Sequence, residues 1–260
     1  MATDPFSIII HAAGPGWLVV EKPSGLSVQA DLEPDLCSIL KARIQADPEL
    51  KEKMEYDPGF GILPVHRLDR ETSGVILLAC RAAILSHFAA QFERHTVRKR
   101  YIALLHGDLP EIQTVEGWGV WIWPLSEDAG GRSRPEGRCK RVQAETRFRV
   151  LQKSAHYTLI ECDLLTGRRH QIRRHARLAG HAVVGDGRYG TSRSVKFLRE
   201  EKGFHRLALH SFSLEIQLPG ATAPQVFRSP VPPPEILWIL EDYRDHKKNA
   251  ILVTDSQRKP

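Results

Sequence analysis

The pattern of apolar and polar positions along the chain predicts more strands than helices. Apolar residues at helical spacing predict helices after Asp35, over 84–95 and around 236–243, and a further helix is expected to start near Arg169 and to end at Gly180. Because strands and helices do not alternate strictly, we expect an α+β fold with a mixed, largely antiparallel β-sheet core and flanking helices and loops. Short apolar runs predict the strands at 17–20, 75–79, 101–105, 143–150 and 157–163, with two more within 207–218.

Individual residues mark where some of these elements begin and end. Asp35 is suited to cap the first helix, and Pro48 is expected to break or restart it. Gly180 is suited to the position that follows the C-terminus of a helix. Residues 129–141 combine glycines and a proline with five basic residues, which predicts an exposed loop.

Size, charge and cysteine content narrow the class of protein. The 260 residues are 42% hydrophobic, and we interpret residues 1–248 as one domain with a flexible tail at 249–260. The 37 Lys and Arg residues against 31 Asp and Glu residues give a net charge of +6, which suits a polyanionic partner but also occurs without one. The four cysteines form no C-x-x-C pair, so the sequence indicates neither a zinc site nor a redox motif.

Nothing in the sequence indicates secretion or insertion into a membrane. The N-terminus lacks the basic and then apolar pattern of a secretory signal. No apolar stretch approaches the ~20 residues that are needed to span a bilayer. We therefore expect a cytoplasmic protein without a membrane partner.

A polar decapeptide at 65–74 contains a candidate catalytic carboxylate. Asp69 lies close to Arg67 and Arg70 in the sequence, and nearby positive charge favours the ionised form of a carboxylate. An ionised Asp can act as a nucleophile or a general base. The same composition also describes a surface salt bridge in a turn, and composition alone favours that second interpretation.

The full string of this segment resembles the catalytic motif of a known family. Residues 65–74 read V-H-R-L-D-R-E-T-S-G and match the motif H-R-L-D-x-x-T-S-G of the RluA family of pseudouridine synthases at all seven fixed positions. Residues 17–25 resemble the family's first strand and K-P-x-G turn, and 99–103 its K-x-Y-x-A segment. Residues 165–190 resemble its T-G-R-x-H-Q-I-R block and the segment after it. The resemblance extends over nearly the whole chain and includes no S4-type RNA-binding domain.

The resemblance implies roles for individual residues in a pseudouridine synthase catalytic domain. Asp69 would be the catalytic carboxylate, and Tyr101 would stack on the uracil and take part in removing a proton. Arg173 would pair with Asp69, and Arg67 would help the base to leave the RNA stack. The residues implied to bind the substrate are Arg67, Arg168, Ile172 and Leu209.

The chemistry of pseudouridine formation explains why such residues are needed. The reaction breaks the N1–C1′ bond of uridine, rotates the uracil and joins C5 to C1′. A carboxylate can attack carbon or remove a proton, and a flat aromatic ring can hold a base that must turn in its own plane. The base must first be flipped out of the RNA stack. No redox step occurs, so we expect neither a cofactor nor a metal.

Clusters of basic residues are candidates for contact with the RNA backbone. Arg169, Arg173 and Arg177 would lie on one face if the helix begins at Arg169, and stacked like charges favour a phosphate-bearing partner. The candidates for phosphate contact are Arg132, Arg138, Lys140, Arg169 and Arg177. We expect structured ribosomal or transfer RNA as the partner of a monomer that needs no obligate protein partner.

Two other functions are compatible with parts of the sequence. A basic RNA-binding protein could share this fold without activity, but Asp69, Tyr101 and Arg173 are all present, which counts against that reading. A glycoside or nucleoside hydrolase could use Asp69 as its nucleophile. Such enzymes usually need a second carboxyl group, and Glu71 is the only adjacent candidate.

Overall fold

A computed structural model of the chain describes residues 8–29, 34–110, 116–230 and 232–241. The chain divides into two compact units. Of the described residues, the first unit contains 8–29, 34–102, 162–170 and 209–230, and the second contains 103–110, 116–161, 171–208 and 232–241.

The described residues form twelve strands and six helices. The strands are β1 (Ile9–Gly14), β2 (Trp17–Lys22), β3 (Leu63–Pro64), β4 (Ser73–Ala79), β5 (Arg98–His106), β6 (Gly119–Trp121), β7 (Leu125–Ser126), β8 (Arg141–Val142), β9 (Thr146–Lys153), β10 (Tyr157–Leu164), β11 (Leu209–Ile216) and β12 (Gln225–Arg228). The helices are α1 (Leu36–Ala46), α2 (Pro48–Lys53), α3 (Ala82–Glu93), α4 (Gln171–Leu178), α5 (Ser192–Lys202) and α6 (Pro234–Leu240).

The first unit contains a mixed sheet. Its strand order is β1-β2-β4-β11 and continues with the first part of β5, while β3 pairs with β4 and β12 with β11. The pairs β1–β2, β2–β4, β3–β4 and β11–β12 are antiparallel, and β4–β11 is parallel. This confirms the predicted α+β class with a mixed, largely antiparallel sheet.

The core of the first unit forms where the apolar sequence runs become strands. All seven residues of β4 are buried, which explains why its sequence is apolar without alternation. Phe88 of α3 packs into the same core. The buried core cluster consists of Trp17, Val19, Val75, Leu77, Phe88, Val97, Leu214, Ile216 and Phe227.

The second unit contains further strands and two of the longer helices. Its strand order is the second part of β5, then β10, β9 and β6, and β7 pairs with β8 in a separate two-stranded sheet. Trp121 of β6 stacks on Phe148 of β9 with ring centroids 4.3 Å apart. The helices α4 and α5 belong to this unit.

Several predicted boundaries are confirmed by their hydrogen bonds. The Asp35 carboxylate accepts the Ser38 N–H at 2.7 Å, and the Ser38 hydroxyl accepts the Asp35 N–H at 3.0 Å, which closes a capping box. Pro48 occupies the first turn of α2 and so restarts the helix. After α4, Gly180 has a φ of 87°, and the N–H groups of Gly180 and His181 donate to earlier carbonyls in the Schellman pattern.

Other predictions are wrong or fall outside the described residues. The two strands expected within 207–218 are the single strand β11, whereas the helix predicted to start near Arg169 is present and begins at Gln171. The strand β1 and the helix α5 were not predicted. The tail at 249–260 lies outside the described residues, and the prediction of one domain over 1–248 stays a prediction. None of the helices in the described part of the chain is long and apolar enough to cross a membrane.

Candidate active site

The motif segment 65–74 is attached to the sheet by its first residues. The Val65 N–H donates to the Leu77 carbonyl at 3.0 Å, and the Leu77 N–H donates to Nε2 of His66 at 3.1 Å. The His66 ring also stacks on Phe92 at 5.4 Å. Burial, with a smaller effect from the nearby Lys99 charge, lowers the pKa of His66 to about 3. His66 is therefore a neutral hydrogen-bond acceptor that fixes the loop, and it is not a proton carrier.

The K-P-x-G turn holds the middle of the same segment through backbone carbonyls. Lys22 is fully buried, and its ammonium group donates to the carbonyls of Leu26 at 2.7 Å and Arg70 at 3.0 Å. The Gly25 N–H also donates to the Arg70 carbonyl at 2.9 Å, and the Ser24 hydroxyl donates to the Glu71 carbonyl at 2.6 Å. The two sequence motifs thus form one structure, in which the turn at 22–25 holds the residues that follow Asp69.

Gly74 ends the segment at a close approach of two strands. Its φ is 114°, and a Cβ atom at this position would lie 2.2 Å from the Ser211 carbonyl oxygen. The parallel bridge between β4 and β11 pairs Ser211 with Gly74 and His210 with Ser73. A residue with a side chain fits neither the backbone conformation nor the space, which accounts for the glycine of the motif.

Asp69 and Tyr101 lie near one another in the first unit. The Asp69 side chain is 22% exposed, so its carboxylate is accessible from solvent. Tyr101 is buried, and its hydroxyl is hydrogen-bonded to Ser211. Burial raises the pKa of Tyr101, and the Asp69 charge raises it further. The phenol therefore stays protonated beside the carboxylate at neutral pH.

His170, to which the sequence assigns no catalytic role, also faces Asp69. Nε2 of His170 lies 3.7 Å from Oδ1 of Asp69, and the His170 side chain is 12% exposed. His170 has a φ of 52°, a backbone conformation that residues other than glycine rarely adopt. The sequence signal was present, because His170 is part of the T-G-R-x-H-Q-I-R block.

The other predicted substrate residues occupy different environments. Leu209 is buried at the start of β11, and Ile172 is buried in α4. Arg67 and Arg168 are both exposed in loops. Their predicted contacts with an RNA base stay predictions.

Arg173 is held by a carboxylate of its own unit. Its guanidinium donates to both carboxylate oxygens of Asp186, from Nε at 2.7 Å and from Nη2 at 2.9 Å. Burial opposes ionisation of Asp186, but the hydrogen bonds and charge of Arg173 outweigh it and lower the pKa of Asp186. Arg173 also lies over the Tyr189 ring at 5.4 Å. The pair fixes the orientation of Arg173, whose predicted pairing with Asp69 stays a prediction.

The predicted arginine stripe on one exposed helix face is wrong. Arg169 precedes the helix, since the chain takes the left-handed conformation at His170 before α4 begins. Arg173 is only 3% exposed. Arg177 is half-buried, and its Nε donates to the Arg132 carbonyl at 3.2 Å. Arg169 is therefore not part of the helix that carries Arg173 and Arg177, and the predicted contacts of Arg169 and Arg177 with phosphates stay predictions.

Arg174 is a structural residue that the sequence analysis did not identify. Its side chain is fully buried and donates to the carbonyls of Ser126 at 2.9 Å, Glu136 at 2.7 Å and Pro135. We define the segment Ser126–Arg141 as the basic loop. Because the guanidinium of Arg174 supplies donors in a rigid fork, it fixes several carbonyls of the basic loop at once.

The basic loop is ordered and exposes only some of its charges. The Asp128 carboxylate accepts the N–H groups of Arg138 and Cys139. Arg132 is half-buried, and its guanidinium donates to the Ser192 hydroxyl at 3.3 Å. The exposed cationic side chains of the basic loop are Arg134, Arg138, Lys140 and Arg141. Among the described residues, no group of three or more His, Cys, Asp or Glu side chains is arranged to hold a metal ion.

Comparison with known proteins shows the family of the chain. It matches the family described as RNA pseudouridylate synthase over residues 16–178. It is 33% identical over 217 residues to ribosomal large subunit pseudouridine synthase C of Vibrio vulnificus. The aligned residues are 82% of this chain and 62% of the relative. It is 33% identical over 216 residues to ribosomal large subunit pseudouridine synthase D of Nitrosomonas europaea, which covers 83% of this chain and 59% of the relative.

The fold is also similar to that of a solved structure. Human RNA pseudouridylate synthase domain containing 1 matches with a TM-score of 0.66 and 24% identity, over 87% of this chain and 84% of that one. The chain spans about three fifths of the length of the two curated bacterial relatives. The family match includes β2, the segment 65–74 and β5, which confirms the resemblance to the RluA family. This chain belongs to the RNA pseudouridylate synthase family.

Proposed function

We propose that this chain is an enzyme that isomerises uridine to pseudouridine within RNA, with Asp69 as the catalytic carboxylate. The observation that carries the proposal is the position of Asp69, which lies in the family's motif, is accessible from solvent and stands beside the protonated phenol of Tyr101. Membership of the family supports the reaction type. The geometry of Asp69 and Tyr101 supports the assignment of the residues.

The substrate that we propose is large-subunit ribosomal RNA. The bacterial relatives described above are named as ribosomal large subunit pseudouridine synthases. Transfer RNA is the second candidate, since the sequence motifs are shared by enzymes for both RNA classes. The uridine must be reached by flipping it out of the stack, a step for which exposed Arg67 is the candidate wedge.

In the proposed mechanism Asp69 acts in its ionised form. The routes open to it are attack on C1′, attack on C6 and removal of a proton from the ribose, and each needs a carboxylate without a proton. Arg173, whose orientation is fixed by Asp186, is the proposed counter-charge of Asp69. A positive counter-charge would favour the ionised form of Asp69.

Tyr101 contributes a neutral ring and a hydroxyl group. Its pKa is raised by burial and by Asp69, so it offers a phenol and not a phenolate. A neutral aromatic face can hold the detached uracil by stacking while the base rotates. Its hydroxyl can pass on the C5 proton only if it gives up its own proton at the same time. Ile172 and Leu209 are the proposed apolar contacts of the base, and Arg168 is a proposed polar one.

The basic loop is the proposed contact with the RNA backbone. Replacing Arg134, Arg138 and Lys140 together by glutamine is expected to weaken RNA binding and to reduce the slope of log affinity against log salt by about 2. The slope falls because a protein that makes fewer phosphate contacts releases fewer counterions when it binds RNA. The measurement is a filter-binding or fluorescence titration across several salt concentrations. Arg132 is left unchanged because its side chain is held at Ser192.

A matched triple variant controls for the overall loss of charge. Lys41, Lys51 and Lys53 are exposed on α1 and α2, and their replacement by glutamine removes the same number of charges. We expect this control to keep the wild-type salt slope. Equal slopes for the basic-loop variant and the wild type would show that the basic loop does not meet RNA.

The experiment that tests the proposed function is a map of pseudouridine in ribosomal and transfer RNA from cells with and without the gene. We expect one or more sites in large-subunit ribosomal RNA to vanish on deletion. The sites should return with the wild-type gene but not with Asp69→Ala. This result would establish the activity, the target and the need for Asp69 together.

Other outcomes would replace the proposal. A site that is lost only in transfer RNA would move the substrate to that class. No lost site in either class would favour an RNA-binding protein without activity. Release of free uracil from RNA by the purified protein would favour the hydrolase, since that reaction cleaves the same bond without rejoining C5 to C1′.

A further inference from the structure

His170 is placed to act on Asp69. Its Nε2 atom lies 3.7 Å from Oδ1 of Asp69, and both side chains are largely buried. This distance is longer than a hydrogen bond, so the contact in the RNA-free protein is electrostatic. Hydrogen bonds at catalytic groups are often long before the substrate binds and become shorter in the complex.

The backbone at His170 is held in an unfavourable conformation. A φ of 52° crowds the Cβ atom of any residue except glycine, and such strain persists only where the surrounding structure imposes it. The helix α4 begins at the next residue. The left-handed residue therefore lies at the turn from the T-G-R loop into α4, and its ring points back to Asp69.

We propose that His170 is a positioning residue, whose Nε2–H group faces Oδ1 of Asp69 and fixes the rotation of that carboxylate. Nε2 must carry a proton in this role, because an imidazole lone pair would repel the carboxylate. The proposal rests on the proposed role of Asp69 and adds to it.

Three substitutions separate the N–H donor from the backbone conformation. His170→Gly removes the ring and suits a φ of 52°. His170→Asn also tolerates the left-handed conformation, but its amide stops short of Oδ1. His170→Gln carries an N–H group with nearly the reach of Nε2, although its backbone is as crowded as that of histidine.

The measurement is the single-turnover rate of pseudouridine formation at saturating RNA, with RNA affinity and the thermal unfolding midpoint measured in parallel. We expect the Gly and Asn variants to lose about 10- to 100-fold in rate, by analogy with the losses found when partners that orient metal ligands are removed. RNA affinity and the unfolding midpoint should stay near wild type. The Gln variant should recover most of the lost rate.

Two results would overturn the role of His170. A wild-type rate in His170→Gly would show that Asp69 needs no such partner. A Gln variant as slow as the Gly variant would show that the ring shape matters and the donor does not. Both results leave the role of Asp69 intact, which the activity of the wild type and of Asp69→Ala tests separately.

A spectroscopic measurement tests the contact even in a protein that shows no turnover. Nitrogen-15 NMR of His170 at neutral pH should find a proton on Nε2, and Asp69→Asn should shift that resonance. A ring with its only proton on Nδ1 would contradict the proposal.

Discussion

Replacing Asp69 by asparagine is expected to reduce pseudouridine formation on the order of 10⁴-fold or more, the size of loss that follows removal of a nucleophilic residue. The substitution keeps the shape of the side chain and removes its charge, so neither attack on carbon nor removal of a proton remains available. RNA affinity should change less than about threefold, since Asp69 contributes no attraction to phosphates. Product formation is measured under single-turnover conditions with saturating RNA.

The matched control for Asp69→Asn is Glu71→Gln, two residues along the same loop. Glu71 is exposed, and the turn at 22–25 contacts it through its backbone carbonyl, which the substitution leaves in place. We expect Glu71→Gln to retain wild-type turnover. Turnover retained in Asp69→Asn would remove Asp69 from its proposed role, and loss in both variants would revive a mechanism with two carboxyl groups.

Asp69→Asn should also have an effect that does not depend on activity. The Asp69 charge raises the pKa of Tyr101, so removing that charge should lower it. Burial remains, and the pKa should therefore stay above the ordinary tyrosine value. Titration of Tyr101 by NMR in the two proteins measures the difference, and an unchanged value would mean that the two side chains lie further apart than described above.

Replacing Arg174 by methionine is expected to destabilise the second unit by about 2 kcal/mol or more, because the carbonyls of Ser126 and Pro135 each lose a buried donor at a cost of about 1–3 kcal/mol. The Glu136 carbonyl keeps the Ser126 N–H as a donor. Methionine keeps the unbranched apolar stem and removes the guanidinium. The basic loop should lose its fixed position, so trypsin should cleave it after Arg138 or Lys140 much faster than in the wild type. Urea denaturation and timed proteolysis measure the two effects.

Two further variants identify which property of Arg174 matters. Arg174→Lys keeps the charge but replaces the rigid fork by a point charge, so we expect it to recover only part of the stability. Arg177→Met removes a half-buried arginine from the same helix with a single contact to a loop carbonyl, and it should cost less than about 1 kcal/mol. Wild-type stability in Arg174→Met would show that the loop is held by other contacts.

The sequence predicts the site well where chemistry is tied to a short motif. The segment 65–74 and the turn at 22–25 were identified as separate motifs, and their direct contact could not be read from spacing. His66 and Lys22 look polar in the sequence, yet both are structural because their partners are backbone groups distant along the chain. Long-range hydrogen bonds of this kind leave no local periodicity to detect.

Two arginines show the opposite error, because the sequence suggests that they are solvated and the fold buries them. In the sequence, Arg173 and Arg174 are two members of a basic cluster, and a basic cluster normally indicates a solvated face. In the fold, Arg173 is paired with Asp186 and Arg174 with loop carbonyls, so both are buried. A carboxylate thirteen residues away and carbonyls about forty residues away decide the outcome, and neither is visible in a helical pattern.

Secondary structure was predicted best where apolar periodicity and capping residues agree. The helix α1 combines Asp35 at its N-cap with three fully buried residues at helical spacing, Leu36, Leu40 and Ile44. The helix α5 buries only Leu198, so its apolar pattern is too weak to predict it. Its ends carry better signals, since Thr191 caps the N-terminus and Gly203 the C-terminus.

The contact between the turn at 22–25 and the motif loop has a consequence for which mutations the active site tolerates. The loop is held by the carbonyls of Arg70 and Glu71, which every residue type supplies. These are also the two positions that the motif H-R-L-D-x-x-T-S-G leaves open. Substitutions at 70 and 71 therefore keep the backbone contacts that attach the motif loop to the turn, although replacing Arg70 also removes the hydrogen bond from its Nε to the Gly25 carbonyl. An engineer who changes contacts with RNA at these positions starts from a loop whose backbone stays attached to the turn.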